Sequence, residues 1–186
     1  MKKEHCCAII GQHPLRFPWG FDEEADECRR MKLELAQHIM ALRQRGVTEF
    51  QIACDSGVGL YSGEIINIVR EKDKAMHLTC VLPFEGQATK WTPQLRERYF
   101  NMLADCTDIS YIAFHKQSNA QFLAYQHIIK QSNLLMAVYD PSLANGSAED
   151  EAITYALMHS KQTMLIHPAT WEVKWINMPK GNVTTF

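Results

Sequence analysis

Short, almost wholly apolar runs alternate with longer amphipathic segments from Cys6 to His167, and this alternation restricts the chain to few architectures. Cys6–Ile10, Phe50–Cys54, Leu78–Pro83, Ser110–Phe114, Leu134–Tyr139 and Thr163–His167 read as strands. Between the first two, about Glu23 to Arg45, Cys28, Met31, Leu35, Ile39 and Leu42 recur at helical spacing until Gly46 stops the pattern. Further helices are expected over Leu60–Lys72, over Pro93–Ala104 with Thr92 as N-cap, around Phe122, Tyr125, Ile128 and Ile129, and over Ala148–His159. Trp171, Val173 and Trp175 alternate with charged residues and add one half-exposed strand. Strands apolar on both faces and separated by helices define an α/β fold. The expected form is Rossmann-like and doubly wound: a mainly parallel sheet of about six to seven strands with helices on both faces. Right-handed crossovers then place every loop that follows a strand along one sheet edge, where such folds bind ligands.

The 186 residues suffice for one well-cored domain, assigned to residues 1–178, with residues 179–186 expected to fray. Lys plus Arg (19) nearly balances Asp plus Glu (21), so the basic field needed for non-specific nucleic-acid or anionic-membrane binding is lacking. No apolar run reaches the roughly 18 residues of a membrane span, and the start lacks a signal-peptide core, so the expected location is cytoplasmic. The six cysteines include no Cys-x-x-Cys, and Cys6, Cys7, Cys54 and Cys80 sit in apolar runs as buried thiols do.

The chemistry is sought in the loops after the strands. Gly11-Gln12-His13-Pro14 follows the first, and Asp55-Ser56-Gly57-Val58-Gly59 the second, leading to Gly63-Glu64. Glycine lets backbone approach a ligand, and a helix N-terminus offers free N–H groups to a phosphate. Neither a complete dinucleotide fingerprint nor a P-loop is present, and a Gly-x-Gly at such a turn is often only a tight turn. After the third strand, Gln87 and Trp91 flank a turn; Trp91 is either a packing residue or an aromatic wall for a base. After the fifth strand, Gly146-Ser147 opens a helix as a second anion cradle, or as a plain N-cap. Cys54 reads better as a structural thiol than as a nucleophile. The eight histidines include no close ligand pair, so neither a metal site nor a cofactor is expected.

These loops resemble the YpsA-like family of the SLOG superfamily, Rossmann-like relatives of the LOG phosphoribohydrolases and DprA. The resemblance rests on Gly11-Gln12-His13-Pro14, Phe17-Pro18-Trp19-Gly20, Gly57 with Gly63-Glu64, Gly86-Gln87 with Trp91, Arg98-Tyr99, and Ala137–Asp140 leading to Gly146-Ser147. It implies a nucleotide or nucleotide-derived ligand such as ADP-ribose, NAD or a mononucleotide. The implied contacts are Gly11, Gln12, His13, Ser56, Gly57, Gly59, Gly63, Glu64, Gln87, Trp91, Gly146 and Ser147. The departures fall on polar positions. The first-loop arginine of the family is absent, its second-loop glycine and aspartate are matched by Ala53 and Gly59, and its Arg-Asn pair before the fifth strand is matched by Ala124 and Tyr125. An arginine fork on phosphate is worth roughly 1.5–3 kcal/mol, so such losses weaken a ligand site.

Two alternatives stand beside the binding protein. One is an N-glycosidic hydrolase of the phosphoribohydrolase type, with Glu149 as candidate catalytic residue; Lys130 lacks the planar fork needed to replace the arginine. The other is a relative that has lost the ligand and acts through protein contacts, including a homodimer, with Trp171 and Trp175 as exposed surface aromatics.

Overall fold

The computed structural model describes residues 5–178. Its strands are β1 (Cys6–Gly11), β2 (Glu49–Ile52), β3 (His77–Phe84), β4 (Asp108–Ala113), β5 (Leu134–Val138), β6 (Gln162–Ile166) and β7 (Val173–Ile176). The helices are α1 (Asp26–Gln44), α2 (Val58–Lys72), α3 (Pro93–Asp105), α4 (Ala120–Gln131) and α5 (Ala148–Met158). They form one Rossmann-like sheet in the order β4-β3-β2-β1-β5-β6-β7, parallel except for β7. The expected segment 179–186 lies outside the described residues.

Alternation along β1 shows why the sheet is covered twice. Cys7 and Ile9 join Met31, Leu35, Ile39, Phe50 and Ile66 beneath α1–α3. Ala8 and Ile10 face the other way, with Ala124, Tyr125, Ile128, Ala152 and Ala156 of α4 and α5. The many alanines on that side let the helices lie close to the sheet. α1 begins at Asp26, three residues inside its expected start, and Gly46 ends it with φ +94°. Such a φ favours glycine because no Cβ meets the carbonyl.

Two expectations are corrected. The fourth strand was expected to be buried on both faces, but β4 is an edge strand with Asp108, Ile109 and Tyr111 exposed. Its apolar run looks like a central strand, and position in the sheet is not written in local composition. Trp171 and Trp175 are half-buried and pack against the core rather than standing free on the surface.

The chain runs outward from β1 through β2 and β3 to β4, then returns to place β5 on the other side of β1. The β1/β5 boundary is thus the switch point at which open α/β sheets leave a crevice at the strands' carboxyl ends.

Candidate functional site

At this switch point the loop after β1 forms a single 3-10 turn, Pro14–Arg16, whose proline fixes the first φ. Gln12 is fully buried and ties the two halves of the crevice together. Its Oε1 accepts the Asp140 N–H at 2.9 Å, and its Nε2 donates to the Arg16 carbonyl at 3.1 Å. His13 is exposed; its Nδ1 accepts the Leu15 N–H and caps the turn. Gly11 serves packing, because a Cβ there would come within 2.1 Å of Val58.

The loop after β2 holds an internal anion. Asp55 Oδ1 accepts the N–H groups of Gly57 at 3.0 Å and Gly59 at 3.1 Å, so the α2 N-terminus is already satisfied by the chain's own carboxylate. Gly59 is required by this contact, since a Cβ would lie 2.4 Å from Asp55 Oδ2. Ser56 sits partly exposed on the same loop. Burial pushes the Asp55 carboxyl up to about 6 and the Glu149 charge adds to this, while the two N–H bonds act in the opposite sense. Gly63 lies deeper, where a Cβ would strike Met102 at 2.3 Å and Ile52 at 2.8 Å; it lets α2 pack on β2 and α3.

A buried hydroxyl connects Asp55 to the α5 side of the crevice. Tyr125 Oη lies 3.5 Å from Asp55 Oδ2 and 3.4 Å from Glu149 Oε1, both long, weak contacts. Its own burial and the two neighbouring carboxylates raise the Tyr125 pKa well above the ordinary phenol value, so the proton stays on it. Asp55 and Glu149 thus form an acidic pair to which no salt-bridge partner is assigned among the described residues.

Asp150 fills the second cradle. Its Oδ2 accepts the Asn145 N–H at 2.7 Å and the Ser147 N–H at 3.0 Å, and Ser147 in turn caps the α5 start in a capping box. Tyr139 Oη, at 2.7 Å, and Arg16 Nη1, at 2.9 Å, both donate to Asp150 Oδ1. Burial opposes ionisation of Asp150, but these hydrogen bonds outweigh it and hold the carboxyl well below its ordinary range. Gly146 enters the helix with φ +80°, a left-handed turn that suits glycine.

Arg16 is the most informative side chain here. It is 9% exposed, reaches Ser147 Oγ at 3.1 Å as well as Asp150, and lies over the Tyr139 ring. Among the described residues its Nε and Nη2 are buried without a hydrogen-bond partner. A guanidinium with donors to spare, held at a helix N-terminus, is suited to a phosphate or carboxylate.

The remaining residues singled out in the sequence stand apart from this group. Glu64 makes a two-pronged ion pair with Arg98, which also reaches Glu23, and so joins α2, α3 and the segment that leads into α1. Gln87 donates to the Cys54 carbonyl at 2.9 Å and to Tyr99 Oη at 3.0 Å. Trp91 is half-buried and meets Tyr99 edge-on. A groove of about 550 Å³ between α2 and α3 is lined in part by Asn67, Arg70, Lys74 and Asn101, and by none of the crevice residues Arg16, Asp55, Glu149 and Asp150. Arg70 is already engaged there by Asn67 and the carbonyls of Met76 and Asp105.

In the sequence Asp55 stands out only as part of its loop and Tyr125 only as a departure from the family pattern, while nothing marks Arg16 or Tyr139 for this site. The available signal was the spacing Ser147-x-x-Asp150, a capping box that marks Asp150 as inward-turned. Among the described residues no cluster of His, Cys, Asp and Glu is placed to hold a metal ion, and no helix is long and apolar enough to cross a membrane.

The fold and crevice define a Rossmann-like α/β protein with its polar groups gathered at the topological switch point. A family model described as the YspA SLOG family (YpsA) matches residues 7–171, and the chain belongs to that family. It is similar to a UPF0398 protein of Bacillus pumilus, 27% identical over 137 residues that cover 72% of this chain and 73% of the relative. A UPF0398 protein of Halalkalibacterium halodurans is 28% identical over 113 residues, 59% of each chain. UPF0398 proteins of Staphylococcus aureus are 22% identical over 123 residues, 64% of this chain and 65% of theirs.

Proposed function

We propose that this protein binds a nucleotide or nucleotide-derived compound in the β1/β5 crevice, with Arg16 on a phosphate and the Asp55–Glu149 pair on ribose hydroxyls. The observation that carries the reading is Arg16, its side chain buried beside the Ser147 cap with two nitrogens unpartnered among the described residues. Leaving buried donors unsatisfied costs about 1–3 kcal/mol, a cost that an arriving phosphate oxygen removes. Carboxylates accept the paired hydroxyls of a ribose, as acidic residues do in other doubly wound nucleotide sites.

This assignment differs from a glycine-loop cradle in one respect. The N–H groups of Gly57, Gly59 and Ser147 are already donated to Asp55 and Asp150, so the phosphate relies on a side-chain fork. The test is thermal denaturation with AMP, cyclic nucleotides, NAD and ADP-ribose. A ligand at about 100 times its dissociation constant stabilises by about 2.7 kcal/mol. For a domain of this size that raises the midpoint on the order of 5–10 °C. No shift with any of them at millimolar concentration refutes the reading.

A further inference from the structure

The sheet ends on one side at β4, whose outer edge no strand covers among the described residues. Thr107 donates its N–H to the Leu78 carbonyl at 2.9 Å, so the odd-numbered residues of the strand turn their backbone groups toward β3. Asp108, Ser110 and Ile112 therefore point theirs outward, where among the described residues only the Cys106 thiol reaches the Asp108 carbonyl, at 3.4 Å. Ile109 and Tyr111 share one face of the strand at 44% and 51% exposure, and Phe114 follows at 77%.

Natural sheets protect such edges with lysine, proline, bulges or very short strands. The opposite edge follows that rule: β7 is four residues long and carries exposed Lys174. From Thr107 to Phe114 there is no Lys, Arg or Pro, and Asp108 is the sole charge.

We propose that a second copy of this chain covers the edge, pairing β4 antiparallel to β4 about a two-fold axis at Ser110. The register is self-complementary. Ser110 faces the partner's Ser110, and Asp108 faces the partner's Ile112, so every outward N–H and C=O of these residues finds a mate. Ile109 then lies opposite the partner's Tyr111 at a non-hydrogen-bonded position, where cross-strand side chains approach closest. The axis keeps the two Asp108 carboxylates at opposite ends of the ladder rather than against each other. With Phe100, 57% exposed on α3, these side chains present on the order of 500 Å². That is most of the roughly 800 Å² each partner of a standard interface buries.

Sedimentation velocity and light scattering on the full chain test it. The expected mass is twice the 21.4 kDa of one chain. Tyr111→Lys and Ile109→Glu should each weaken self-association more than about 30-fold, since each removes a central anchor from the interface. The double variant Ile109→Glu/Tyr111→Lys should restore the dimer, because this register sets each new acid against the partner chain's new base. Circular dichroism checks that each variant is folded. A monomeric wild type, or a dimer indifferent to both single changes, overturns the proposal. Failure of the double variant to re-associate overturns the register.

Discussion

Asp55→Asn should make this protein more stable at slightly alkaline pH while leaving its stability at pH 4 unchanged. The Asp55 carboxyl is pushed from an ordinary 3.8 to about 6, chiefly by burial. A carboxyl with a raised folded-state pKa contributes fully below its unfolded value and loses that contribution as pH rises through about 6. At 1.36 kcal/mol per unit the full penalty is about 3 kcal/mol. Asp55 retains some solvent exposure, so about half of this, 1–2 kcal/mol, is the working figure. Asparagine keeps an acceptor for the Gly57 and Gly59 N–H groups and a polar contact for Tyr125 while removing the charge. Urea denaturation of both proteins at pH 4, 6 and 8 should show equal midpoints at pH 4 and a gap of about 1–2 kcal/mol at pH 8. By thermal melting the gap is about 4 °C. A variant less stable than wild type at pH 8, or a gap independent of pH, would refute the claim that Asp55 is held against its ionisation.

Other substitutions separate packing from binding. Gly63→Ala forces a methyl into Met102 and Ile52 and should cost about 1–3 kcal/mol in urea denaturation, with ligand affinity of the folded protein unchanged. Arg16→Ala leaves the buried Asp150 carboxylate without its cation and should cost about 3 kcal/mol, read as a drop in the melting midpoint. Glu149→Gln should weaken ribose-bearing ligands, measured by calorimetry. If wild type releases base from AMP, the same variant should abolish that release, and unchanged release would remove Glu149 from any catalytic role.

The sheet was legible because its central strands are apolar on both faces and each is punctuated by Gly, Pro or a capping residue. β1, β5 and β6 appear within a residue or two of their expected bounds. α2 starts at Val58, two residues early, because Asp55 satisfies the N–H groups of a turn that glycines would otherwise leave loose. The exposure of β4 was not legible, since Ile109, Tyr111, Ile112 and Phe114 have the composition of an interior strand. Strand order is a long-range property.

The site was legible in outline and not in its chemistry. The glycine spacing suggests room for a ligand, whereas a Cβ at Gly11, Gly59 or Gly63 would meet Val58, Asp55 or Met102 of the chain itself. A carboxylate folding back onto its own helix start looks, in sequence, the same as one left free for solvent. Arg16 stands three residues beyond His13, and only the 3-10 turn brings its guanidinium back to Ser147.

The most direct measurement is calorimetric titration of wild type and Arg16→Lys with ADP-ribose and with adenosine, which lacks the phosphates. Lysine keeps the charge but not the planar fork. The account predicts that wild type binds ADP-ribose at least tenfold more tightly than adenosine, and that Arg16→Lys removes most of that difference. Equal affinity for both compounds in wild type, or an unchanged preference in Arg16→Lys, contradicts it.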